Sequence, residues 1–125
     1  MQRVVDTATL VVTRLDNGPG LAVYGDLGAE HAASFARALR EAAADNPGAD
    51  LCLDCARLDT VSVEALRAVA DAAAELAREG RTLTLRHLSP YFQRIFRLTG
   101  WDETPGLILD SPGLRAWFPV RRRAR

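Results

Sequence analysis

With 125 residues, 48% hydrophobic and 26% charged, the chain has the composition of one globular domain, which excludes disordered and fibrous classes. Sixteen acidic residues balance sixteen basic ones, all of them arginine, so overall charge gives no support to nucleic acid as a partner. There is no apolar run near the roughly 20 residues of a membrane span, no signal-peptide pattern and only two cysteines, which leads to the expectation of a cytoplasmic chain without a disulfide framework.

Thr9 to Leu15 and Leu21 to Tyr24 are β-rich runs on either side of the turn formers Asp16-Asn17-Gly18-Pro19-Gly20, which predicts an antiparallel hairpin. From Glu30 to Asp45 the spacing becomes helical. Ala32, Phe35, Ala38, Leu39 and Ala42 share one stripe, with Arg37, Arg40 and Glu41 opposite, and Asn46-Pro47-Gly48 ends the helix. Leu51 to Asp54 reads as a short buried strand, with Asp54 at its end.

Ser62 is the expected N-cap of a second helix that Gly80 terminates. Its inward stripe is Val63, Leu66, Val69, Ala70, Ala73 and Ala77. Glu64, Arg67, Asp71, Glu75 and Arg78 face outward, and Arg67 and Asp71 have the spacing of an i,i+4 ion pair. Thr82 to Arg86 is the next strand. Ser89-Pro90 opens a third helix, with Phe92, Ile95, Phe96 and Thr99 inward and Gly100 at its end. Leu107 to Leu109 reads as an edge strand, and Ser111-Pro112 starts a short helix through Trp117.

The resulting order, β-β-α-β-α-β-α-β, implies an α/β fold with a mixed sheet and crossover helices. The expected organisation is a single domain over residues 1–120 and a basic tail at 121–125, where Arg121, Arg122, Arg123 and Arg125 leave the body mildly acidic.

Cys52 and Cys55 have C-x-x-C spacing, but alternation along a strand sends them to opposite faces, so they suit neither a bridge nor a shared metal. His31 and His87 lie far apart in sequence, and neither has a patterned carboxylate, serine or cysteine beside it. These residues yield no catalytic constellation, metal set or cofactor motif, and the expectation is a non-enzyme with no cofactor. More informative is the opening of the second helix, where Glu64 puts a carboxylate beside unpaired amide donors and the positive end of the helix dipole.

From Leu51 to Leu109 the chain resembles the STAS domains of bacterial anti-sigma-factor antagonists. The matching residues are Leu53-Asp54-Cys55-Ala56, Ser62-Val63-Glu64-Ala65-Leu66, Gly80, Ser89-Pro90 and Thr99-Gly100, with no gap needed from Asp54 to Gly100. Gly25-Asp26-Leu27-Gly28 stands where the family commonly has Gly-Glu-Leu-Asp. The resemblance implies a STAS fold and a role in transcription regulation by partner switching. In that scheme an anti-sigma-factor kinase phosphorylates the second serine of an Asp-Ser-Ser-Gly motif, and the unphosphorylated form binds the anti-sigma factor.

Here Ser62, Val63 and Glu64 replace Asp-Ser-Ser, so residue 64 has no hydroxyl to accept phosphate, and Gly28 replaces a nearby acidic residue. Glu64 either imitates the phosphorylated state in part or marks loss of the switch, and modification at Ser62 or Thr60 is the remaining route. The expected partner is an anti-sigma factor or another serine-kinase-like regulator, docking on Ser62, Val63, Glu64, Arg67 and Asp71. Alternatives are an accessory subunit of a membrane transport system and a ligand-sensing STAS domain.

Overall fold

The turn at Asp16–Gly20 joins two antiparallel strands, as the sequence predicts. They are β2 (Leu10–Arg14) and β3 (Gly20–Leu27), with Leu10 opposite Gly25 and Arg14 opposite Leu21. The chain approaches itself closely at Gly25, whose φ is 101° and where an added Cβ would lie 2.3 Å from the Thr9 carbonyl oxygen. A side chain larger than hydrogen is excluded there. A further strand that the sequence reading does not contain, β1 (Arg3–Asp6), pairs antiparallel with β2. Its four residues begin and end with charges, too little pattern to mark a strand until β2 offers an edge.

The computed structural model describes residues 3–110. The helix expected over Ser111–Trp117, the end of the expected domain and the arginine tail lie outside them. Three β-α-β crossovers follow the hairpin: α1 (Ala32–Asp45) leads to β4 (Leu51–Val61), α2 (Val63–Arg78) to β5 (Leu83–Arg86), and α3 (Pro90–Thr99) to β6 (Leu107–Asp110). Single 3₁₀ turns precede α1 at Ala29–His31 and follow α3 at Trp101–Glu103. The six strands form one mixed sheet in sequence order, antiparallel through β3 and parallel from β3 to β6.

Alternation along β4 and β5 buries Leu51, Leu53, Cys55, Leu83 and Leu85 on one face. The helices cover that face with Phe35 and Leu39 from α1, Leu66 and Val69 from α2, and Phe92 and Phe96 from α3. Each of these large side chains stabilises the fold by about 1.5–3 kcal/mol through burial. The opposite face carries the half-buried Cys52, Asp54 and Thr84, and the exposed Arg86. Arg86 stands in register between Asp54 and Asp110.

Four sequence expectations need correction. Asp54 is not at a strand end, because β4 continues to Val61 by pairing with the bulged second half of β3. Val63 is 61% exposed, since the first residue of α2 lies just past the end of β4, where no sheet remains beneath it. The inward face of α2 therefore begins at Ala65 and includes Leu76, while Ala77 is only half-buried. Thr99 is exposed rather than inward, its hydroxyl donating to the Ile95 and Phe96 carbonyls at 3.0 and 2.9 Å.

Candidate functional site

The parallel strands β3, β4 and β5 run in one direction, so the connections into all three helices gather at one end of the sheet. Open α/β sheets place their ligand sites at that carboxyl end. At this end the backbone of β3 and β4 is tied together. Leu27 pairs with Val61, the Ser62 amide donates to the Leu27 carbonyl at 2.9 Å, and Thr60 Oγ1 donates to Asp26 Oδ1 at 3.0 Å. The start of α2 is therefore held in place by the strand pair that precedes it.

Ser62 caps α2 as the sequence predicts, with Oγ accepting from the Ala65 amide at 3.1 Å. Glu64 is the second residue of the helix and is exposed. A carboxylate at this point complements the helix dipole, and it stands in water where another protein can reach it. Val63 beside it is an exposed apolar side chain. A second one, Tyr91, is 67% exposed in the first turn of α3, which springs from the neighbouring parallel strand β5. Tyr91 is absent from the sequence-based expectations, although its outward position ahead of the inward Phe92 and Phe96 is a usable signal.

Farther along α2, Arg67 and Asp71 are exposed, and no ion pair joins them among the described residues. With Glu64, Ala68, Ala72 and Glu75 they form one wall of an open groove of about 300 Å³ whose other wall is Ala32, Ala33, Ala36 and Arg40 of α1. Glu64, Arg67 and Asp71 thus share one surface, with Ser62 and Val63 at the head of the same helix. The α1 wall is absent from the sequence-based expectations. Its signal is the run of small residues at helical spacing in α1 that matches Ala68 and Ala72 in α2.

The remaining candidate groups sit elsewhere. Cys52 and Cys55 occupy opposite faces of β4. Burial pushes the Cys55 thiol up to about 12, with the nearby Asp54 carboxylate adding to the effect. Burial also raises Cys52, against the opposing pull of Arg86, whose Nη1 lies 3.9 Å from the sulfur. Both environments favour the protonated, unreactive thiol. His31 Nε2 is 3.4 Å from Thr9 Oγ1 and 3.7 Å from Glu30 Oε2, whereas exposed His87 adopts φ 59° in the β5–α3 connection. Among the described residues no three His, Cys, Asp or Glu side chains gather as a metal site would require, and no helix is long and apolar enough to cross a membrane.

The family model described as "Mlab, STAS domain" matches residues 10–110. No curated protein matches the chain. Among solved structures, the chain is similar to an anti-sigma factor antagonist from Mycobacterium paratuberculosis, with a TM-score of 0.66, 24% identity, and 94% of this chain and 100% of that one covered. It is also similar to the anti-sigma factor antagonist SpoIIAA in its unphosphorylated form, with a TM-score of 0.59, 15% identity and coverage of 91% and 99%. The Bacillus cell fate determinant SpoIIAA in its phosphorylated form gives a TM-score of 0.58, 16% identity and coverage of 90% and 99%. The identities are low, so the likeness to these structures is one of fold. The extent of the family match establishes that the chain belongs to the STAS domain family.

Proposed function

From that membership, we propose that the chain is a non-catalytic partner-switching module of the anti-sigma-factor-antagonist kind, acting in transcription regulation. Its docking surface is the carboxyl end of the sheet, centred on Ser62, Val63 and Glu64 and continued along α2 by Arg67 and Asp71. The observation that carries this reading is the solvent-exposed carboxylate of Glu64 in the first turn of a capped α2, beside exposed Val63. An apolar side chain next to a charge at a rigid helix start is the composition of a protein interface, where desolvated apolar anchors supply affinity and charges supply specificity.

Glu64 acts as a permanent partial imitation of phosphoserine. It carries about one negative charge where a phosphoserine carries about 1.5 to 2, and it offers two acceptor oxygens instead of three. The partner is a kinase-like anti-sigma factor whose binding a charge at this position weakens. Ser62 is a poor substitute acceptor because its hydroxyl oxygen already serves the Ala65 amide.

Affinity capture from the native cell tests the reading, with Glu64→Ser run beside the wild type. Capture of a kinase-like regulator that increases on removal of the charge is the expected result. Recovery of no such regulator by either protein refutes the reading.

A further inference from the structure

Helix α3 presents a face that no described part of the molecule covers. Tyr91 is 67% and Leu98 80% exposed. Seven residues apart, they lie within about 20° of each other around the helix. Arg94 and Arg97 run along one flank of this line, both exposed, and neither guanidinium has an ion pair or hydrogen bond among the described residues. Helix α3 contains no acidic residue, and the nearest carboxylates in sequence, Asp102 and Glu103, belong to the turn beyond Gly100. The exposed acids Glu64, Asp71 and Glu75 are on α2 instead. Phe92 and Phe96 hold the other side of α3 against the sheet, so this face stays outward.

We propose that this face docks on an anionic lipid surface, with Tyr91 and Leu98 entering the headgroup region and Arg94 and Arg97 meeting lipid phosphates. A tyrosine and a leucine in line, flanked by arginines, match the chemistry of the membrane interface: an apolar edge, an amphipathic ring and cations. One short basic face binds weakly and reversibly by itself, so its attachment is read at low salt. A fluid anionic surface rewards charge density without demanding fixed geometry, which suits guanidiniums that have no side-chain partner among the described residues. This inference does not rest on partner switching, and either can fail alone.

The test is co-sedimentation of the full chain at low salt with vesicles of equal parts phosphatidylglycerol and phosphatidylcholine, beside vesicles of phosphatidylcholine alone. The expected result is binding to the anionic vesicles only, weakened by added salt. Arg94→Gln with Arg97→Gln lowers the partition coefficient about 25-fold, at roughly fivefold per arginine. Leu98→Ser lowers it separately, with circular dichroism unchanged in every variant. Three outcomes overturn the proposal: no binding to anionic vesicles, equal binding to neutral ones, or α3 variants that bind as the wild type does while replacement of the four tail arginines by glutamine abolishes binding. Self-association that depends on Leu98 without vesicle binding overturns it in favour of a second copy as occupant.

Discussion

Thr60 Oγ1 donates a 3.0 Å hydrogen bond to Asp26 Oδ1, joining residues 34 positions apart in the next-to-last residue pair of β3 and β4. Two residues later Ser62 begins the capped start of α2, so this bond and the Ser62–Leu27 backbone bond set where Glu64 stands. Thr60→Val removes the donor and leaves the carboxylate to water. The expected loss is about 1 kcal/mol, below the range for a bond to a buried charged group because both side chains are exposed. Denaturant unfolding measures the loss, and faster hydrogen exchange at the Ser62 amide reports the local loosening.

Ser62→Ala deletes the N-cap of α2. The expected destabilisation is about 1 kcal/mol, and Ser62→Asp restores it because aspartate caps equally well. A melting temperature of Ser62→Asp as low as that of Ser62→Ala would show that the side chain matters for something other than the Ala65 amide.

Glu64→Lys reverses a charge that favours the helix dipole. An expected loss of about 0.3–1 kcal/mol shrinks in high salt, since the group is exposed. Gly28→Asp, which puts an acid where the resemblance to anti-sigma-factor antagonists implies one, is expected to fold normally. An added Cβ at residue 28 meets only the carboxylate end of the Glu30 side chain, at 2.4 Å, and that end can swing away.

Among the described residues, Arg81 makes the most side-chain hydrogen bonds. Only 6% exposed, it donates through Nε to the Ala49 carbonyl at 2.6 Å and through Nη2 to those of Ala43 and Asn46 at 3.0 and 2.8 Å. Nη1 binds Glu79 Oε1 at 2.9 Å. The guanidinium thus ties together carbonyls of the last turn of α1 and the loop after it, adding to the weak Asn46 amide bond at Ala43 and the Ala49 amide bond at Asn46. Arg81→Met is expected to cost about 2–4 kcal/mol, and Arg81→Lys to recover little of it because an ammonium cannot span those acceptors. Urea midpoints with an unchanged slope check the figure.

Cys55 makes the alkaline limb of stability steeper. Its folded thiol is pushed up to about 12 from an ordinary 9.0, so the unfolded chain gives up this proton first as pH rises. The neutral thiol's contribution is complete below about pH 9 and declines from there through about pH 12. Cys55→Val removes the titration and flattens stability over that window. An alkaline limb identical in the two proteins would place the raised pKa in doubt, as would rapid alkylation of native Cys55.

Helix starts and stops were the most legible features of the sequence. Ser62, Ser89-Pro90 and Gly100 signal local hydrogen-bonding needs that neighbouring residues satisfy, and all three act as the sequence predicts. Periodicity alone was enough to put Phe35, Leu39, Leu66, Phe92 and Phe96 in the core. The second half of β4 was not legible, because Cys55 to Val61 has no alternation of its own and becomes a strand only where β3 supplies a bulged parallel partner.

Local propensity, capping and periodicity, which act within a few residues, therefore determined the helices, most strands and the α/β class from the sequence by itself. Whether Val63 is buried, what Arg81 binds, and which wall of α1 faces Arg67 and Asp71 were decided only in three dimensions. Each depends on where one element ends relative to another far away in the chain. Burial and hydrogen bonding across such distances belong to the assembled sheet and helices, and no stretch of sequence contains them alone.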